Sequence, residues 1–198
     1  MNKLTEIDNL ANGATKNIGR LLELSYDDEE IRFRSVEAFE YFTQTDAILK
    51  RVYEGLKDDD ELVRTTCIEL LGEWKNTDST EMLYTALSDK SEIVRAAAIT
   101  SLGQIARKDT IWILREKFNN LHGIERASAA MALYTLGQSD YLDELLLLFD
   151  DDNYQTRCAA ANLLSGFIKA EDRSKVIVKI KQALLKEKTK AAERPKMS

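Results

Sequence analysis

Apolar side chains recur at helical offsets along almost the whole chain. Leu49, Val52, Tyr53 and Leu56 fall on one face of a helix, and the same face returns 31 residues later. Val52, Leu83, Leu114, Leu145 and Val176 form one such column; Leu56, Leu87, Phe118, Phe149 and Ile180 form a second. A third register holds Ala38, Ile68, Ile99, Ala130 and Ala161, followed three residues later by Tyr41, Leu71, Leu102, Leu133 and Leu164. Ile18 and Leu21 carry the pattern back into a partial leading unit. Each unit therefore reads as helix, turn, helix. One helix pair cannot bury its own stripe, so consecutive pairs must stack. The pattern predicts an all-α fold, an α-solenoid of about five helix pairs with a partial N-terminal unit and a C-terminal capping helix.

The turns repeat as well. Arg34, Arg64, Arg95, Arg126 and Arg157 are separated by 30, 31, 31 and 31 residues. Six positions earlier stand Asp28, Asp58, Asp89, Asn120 and Asp151. Short Asp and Ser residues before a helix accept hydrogen bonds from its first N–H groups. The repeated Asp and Arg side chains are expected to pair from one unit to the next as a structural ladder. A half-exposed ion pair of this kind contributes about 0–1 kcal/mol.

Composition adds limits. The chain has 198 residues, one Pro, eight Gly and a net charge of −6. Residues 173–198 hold nine Lys or Arg against Glu187 and Glu193, which leaves residues 1–172 at −13. An acidic body attracts basic partners and repels nucleic acid. No segment reaches the ~18 apolar residues needed to span a bilayer, and no apolar signal region opens the chain. These features predict a cytoplasmic protein, with one domain over residues 1–188 and a basic, disordered tail over 189–198. Cys67 and Cys158 read as buried or half-buried thiols, because no CxxC exists and His122 is the sole His. No metal or cofactor site is expected.

The segments LYTALSDKSEIVRAAAITSLGQI and VYEGLKDDDELVRTTCIELLGEW resemble HEAT repeats, in particular the short kind named after phycobilisome lyases. The shared marks are an apolar helix, an Asp turn, a VRxxA run at Val63 and Arg64 and at Val94 and Arg95, and a closing LG at Leu71 and Gly72 and at Leu102 and Gly103. The first, fourth and fifth units depart from it, with Phe33 and Arg34, Glu125 and Arg126, and Thr156 and Arg157 at the VR position. The resemblance implies a right-handed solenoid whose VRxxA helices line a concave face. Counting around those helices puts Phe39, Glu69, Thr100 and Met131 in one row of that face. Glu73, Gln104 and Thr135 fall in a second row, and Phe42 and Tyr134 in a third. On the outward rows of the preceding helices, Trp112 stands out as a convex contact candidate. Trp74 takes a core offset.

Catalysis finds little support. Cys67 and Cys158 lie about two and one repeats from His122, too far for a nucleophile pair when packed helices stand roughly 10 Å apart. Glu69 and Glu73 have the spacing of an acid/base pair, yet glutamates four apart are ordinary on a solvated helix. Runs of Asp at 58–60 and 150–152 read as helix caps rather than a Ca²⁺ loop. HEAT-like arrays include scaffolds, lyases, DNA glycosylases and bacterial immunity proteins, and the fold does not choose among them. An acidic groove with apolar anchors favours a non-enzymatic module that binds a basic protein, in its concrete form an immunity-type inhibitor of a nuclease toxin. The alternatives are a nucleic-acid-binding or DNA-repair protein and a lyase-type enzyme.

Overall fold

The computed structural model describes residues 2–13 and 17–192, with the side chains of 165–167 and 187–192 set aside. Among the described residues every element is helical: twelve α-helices, four short 3-10 turns and no strand. No helix among them is long and apolar enough to cross a membrane. The chain divides into two compact units, Met1–Ile105 and Ala106–Ser198.

In the first unit the helices are α1 (Lys3–Ala11), α2 (Ile18–Leu24), α3 (Glu29–Glu37), α4 (Asp46–Gly55), α5 (Glu61–Glu73), α6 (Thr80–Ala86) and α7 (Glu92–Ile105). Helices α3, α5 and α7 stack side by side as an inner layer; α4 packs on α5 and α6 on α7 as outer partners. Helix α1 covers the free edge, packing on α2, α3 and the 3-10 turn Ala38–Tyr41. The core is continuous through Leu21, Val36, Phe39, Val52, Ile68, Leu71, Leu83 and Leu102. Caps start the helices where the sequence placed them: Asp28, Thr45 and Asp60 each accept from a first-turn N–H.

The second unit holds α8 (Lys108–Phe118), α9 (Gly123–Thr135), α10 (Tyr141–Leu147), α11 (Tyr154–Phe167) and α12 (Arg173–Ala192). Helices α9 and α11 pack together, with α8 and α10 against α9. Helix α12 rests on the turns at Leu148–Asp150 and Ala170–Asp172. Val176 is buried there, and ion pairs fasten the rest: Lys175 to Asp143 at 2.5 Å, Lys186 to Asp150 at 2.9 Å, and Lys179 to the same Asp150. The two lysines hold the Asp150 carboxyl down to about 2. Three lysines of the basic run are thus paired with the acidic body beneath it. The run stays helical through Ala192, beyond the expected boundary at 188; residues 193–198 of the expected tail lie outside the described residues.

The arginine column performs two tasks. Arg64 donates through Nη1 to the carbonyls of Asp58 and Asp59 at 2.8 and 3.0 Å, and through Nε and Nη2 to both oxygens of Asp89 at 2.9 Å. Arg95 reaches the Asp89 and Lys90 carbonyls, and Arg157 those of Asp151 and Asp152. Arg126 bonds the Phe118 carbonyl and pairs with Glu144 at 2.7 Å, which departs from an Asp partner.

The first unit corrects the expected register. Arg34 pairs with Glu37 on its own helix and with Asp8 of α1. It is Arg32 that bonds the Asp27 carbonyl and pairs with Asp58 at 3.0 Å. Arg32 therefore stands where Arg64 stands in the next pair, 32 residues on. Ile31, Val36 and Phe39 then match Val63, Ile68 and Leu71, all buried, and N-cap Asp28 matches N-cap Asp60. One extra residue between α3 and α4 accounts for the shift, taken up by the 3-10 turn and the 42–45 connection.

Two close approaches rely on glycine. A Cβ on Gly55 would lie 2.3 Å from Cys67 Sγ, and one on Gly72 would lie 2.5 Å from Ser101 Oγ. The Cys67 thiol, pushed up to about 12 by burial, is inert packing.

The register is testable by stability. Removing a buried arginine that serves two carbonyls and a carboxylate strands all three acceptors, so Arg64→Ala should cost about 3–5 kcal/mol in urea unfolding. Arg34→Ala should cost less than about 1 kcal/mol. Equal losses would mean the two arginines are equivalent after all. Separately, Gly55→Ala should lower stability by about 1–3 kcal/mol through overpacking, and adding Cys67→Ala should recover part of that loss.

Candidate functional site

The corrected register rearranges the expected binding face. Phe39 was expected on an open row; it is 0% exposed, because at 32 residues before Leu71 it occupies a core position. Tyr41, expected in the core column, is 56% exposed. The exchange follows from the extra residue and the tighter 3-10 winding, which rotate both side chains relative to an ideal helix. Phe42 is half-buried against the core. The signal for this was present: Ile31 and Arg32 match the Val-Arg pair of later units better than Phe33 and Arg34 do.

On the first unit, the open side of α3, α5 and α7 thus carries two rows. One is Glu37, Glu69 and Thr100; the other is Tyr41, Glu73 and Gln104. Glu69 and Glu73 are exposed, while Thr100 and Gln104 are half-buried. The Thr100 hydroxyl donates back to the Ala96 carbonyl at 3.1 Å, which leaves it a weak competitor for a ligand. Glu40 is exposed beside Tyr41, whose hydroxyl bonds to it; the bond pushes the phenol above its ordinary value.

The acids act on one another. Surrounding protein mass raises the Glu69 carboxyl even though one side of it meets solvent, and the carboxylates of Glu73 and Glu37 add to the rise. Glu73 is raised by partial burial and then by Glu40. Four carboxylates therefore crowd one face, with Arg34 the cation paired to Glu37. Crowding of like charge on a structured face costs stability and is relieved when a cation arrives.

The second unit does not extend this site as expected. Met131 is buried, and Tyr134 is completely buried. The Tyr134 hydroxyl donates to Asp172 at 2.6 Å and accepts the Lys169 N–H at 3.1 Å, so it fastens the 170–172 turn. Neither residue can anchor a partner. Both lose their expected role because neighbouring helices and turns cover the side of α9 on which they lie. Thr135 is exposed, with its hydroxyl turned to the Ala132 carbonyl. Trp112 on α8 is 68% exposed and keeps its standing as a surface contact candidate.

No group of three or more His, Cys, Asp or Glu able to hold a metal occurs among the described residues. Cys158 is half-buried, and His122 sits exposed before α9.

No curated protein matches the chain. Residues 49–133 match the family model described as HEAT repeats, the stretch in which the 31-residue period runs without the slip seen in the first unit. With their stacked helix pairs, their arginine-closed turns and that match, residues 49–133 are HEAT repeats.

Proposed function

We propose that this protein is a non-catalytic interaction module that engages a basic protein through the acidic face of its first unit. HEAT repeats are generally protein-interaction scaffolds. The observation that carries the proposal is the cluster of Glu37, Glu40, Glu69 and Glu73 around the exposed ring of Tyr41, with Glu69 and Glu73 both raised. Charge of one sign steers an oppositely charged partner and fixes its register. An exposed tyrosine adds a large, stiff contact at low entropic cost. In its concrete form the partner is a basic nuclease whose nucleic-acid groove the acidic face covers. The same charge opposes nucleic acid as the ligand, since phosphate would meet carboxylates.

Replacing Tyr41 with a photo-crosslinking residue and irradiating native-source cells should give a discrete adduct with a basic protein. The adduct should disappear in the Glu69→Gln, Glu73→Gln double variant, and affinity measured on the isolated pair should fall about tenfold, less so at 500 mM salt. An adduct with nucleic acid or with an acidic protein would overturn the proposal.

The pH dependence has opposite signs for binding and for stability. A bound cation favours the ionised glutamates, so affinity should decline on acidification already above the ordinary glutamate value of 4.5. In the free protein a raised carboxyl favours the protonated folded state. Ionisation at neutral pH therefore destabilises it, and Glu69→Gln should raise the melting temperature at pH 7 by roughly 1–2 °C. That gain should vanish near pH 4, where wild type is protonated too. A melting temperature that fell at pH 7 would count against crowding among the acids.

A further inference from the structure

The stripe of α5 that carries Glu69 and Glu73 begins with an aliphatic residue. Leu62, Thr66, Glu69 and Glu73 all lie within Glu61–Glu73, and at 100° per residue they fall within about 60° of one another. Ile93 and Ala97 occupy the matching places on α7, ahead of Thr100 and Gln104. Leu62 is 47% exposed and Ile93 45%. Their neighbours Val63 and Val94 fill the core, so each inner helix places one aliphatic side chain inside and the next one outside. One exposed aliphatic residue on a surface carries no meaning by itself. Here two successive repeats expose one at the same position, on the same side as the acids. Between the aliphatic end and the acidic end the side chains are small: Thr66 is half-buried and Ala97 buried.

The charge on this side has one sign. In the corrected register α3 lies 32 residues before α5, so Glu30, Arg34, Glu37 and Tyr41 match Leu62, Thr66, Glu69 and Glu73. Across the three helices the charged members of these rows are Glu30, Glu37, Glu69, Glu73 and Arg34, and Arg34 is paired with Glu37 and Asp8. Glu61 and Glu92, both exposed, stand beside Leu62 and Ile93. Arg64 and Arg95 reach back to the turn carbonyls, and Lys90 lies in the turn ahead of α7, outside the rows.

Resting on the reading of this face as a docking surface for a basic protein, we infer that the docked segment also carries a large apolar side chain, seated at Leu62 and Ile93 about 10 Å from the cations that meet Glu69 and Glu73. Seven residues of α5 separate Leu62 from Glu69, which sets that distance. Neighbouring packed helices stand about 8–10 Å apart, so Leu62 and Ile93 flank one large side chain between them. The two ends divide the work. Carboxylates steer any basic segment to the face, whereas the aliphatic pair rewards only one with an apolar group at the right distance. The inner helices have their backbone groups paired, so side chains supply this recognition.

The test titrates the full chain into fluorescein-labelled twelve-residue peptides, followed by fluorescence anisotropy. Two Gly/Ser peptides each carry a pair of arginines; one adds a pair of leucines three residues away, about 10 Å in an extended chain, and the other has Ser there. Wild type should bind the Leu peptide about tenfold more tightly than the Ser peptide. Leu62→Ser with Ile93→Ser should erase that preference, leaving affinity for the Ser peptide and the thermal melt unchanged. Glu69→Gln with Glu73→Gln should weaken both peptides and flatten their salt dependence while keeping the preference for Leu. Equal binding of the two peptides by wild type, or a preference that survives the serine variants, would overturn the inference and leave the acidic face standing. Binding of neither peptide, or equal binding of a peptide with Glu in place of Arg, would remove the acidic-face reading and this inference with it.

Discussion

A stack of short helix pairs faces one recurring difficulty: each turn between an outer and an inner helix leaves carbonyls without partners, and nothing in the turn itself sets the distance to the next pair. The arginine at the start of each inner helix addresses the first part, and at Arg64 it addresses both. One edge of the guanidinium binds the Asp58 and Asp59 carbonyls, and the other grips Asp89 of the following turn. Asp89 in turn accepts the Ser91 N–H at 2.8 Å, at the start of α7. Burial alone would push the Asp89 carboxyl up; the Arg64 fork, the Ser91 N–H and nearby positive charge outweigh it and hold it below its ordinary value. A lysine cannot substitute, because a point charge lacks the planar fork that serves two edges at once. The Gly55 and Gly72 contacts are the packing counterpart, allowing the helices to approach as closely as this link requires.

The period was legible from the sequence because it is written many times. Columns such as Val52, Leu83, Leu114 and Leu145 are all completely buried, as counting alone predicts. The first unit was harder, since Arg32 and Arg34 both sit near the expected spacing and only three-dimensional pairing separates them. A two-residue error there converts a core side chain into a surface one, which is why Phe39 and Tyr41 exchanged places. Met131 and Tyr134 were misplaced for another reason. Helical periodicity gives the angular position of a side chain, but not whether a distant turn, such as 170–172, folds over that side. Ala161 shows the reverse case, a core-column residue left exposed on α11.

The glutamates were read correctly as open positions, but their crowding was not. Glu37 and Glu40 join Glu69 and Glu73 only once the first unit is shifted into register. A folded chain gains nothing from gathering acids whose carboxyls are pushed up by burial and by one another. Such arrangements recur where a ligand supplies the missing charge. The basic residues of α12 show the ordinary outcome: Lys175, Lys179 and Lys186 are neutralised by Asp143 and Asp150.

The first unit therefore presents two surfaces of unlike chemistry from one set of helices. On α5, Glu69 faces the acidic side while its neighbour Ile68 lines a cleft between α4 and α6 whose rim carries charges of both signs. Because a helix turns 100° per residue, adjacent positions can serve different faces without sharing contacts. Charge on the open face can change without disturbing the cleft, and neither surface includes the Arg64 and Asp89 link that spaces the pairs, apart from the Asp89 carboxylate at the cleft rim.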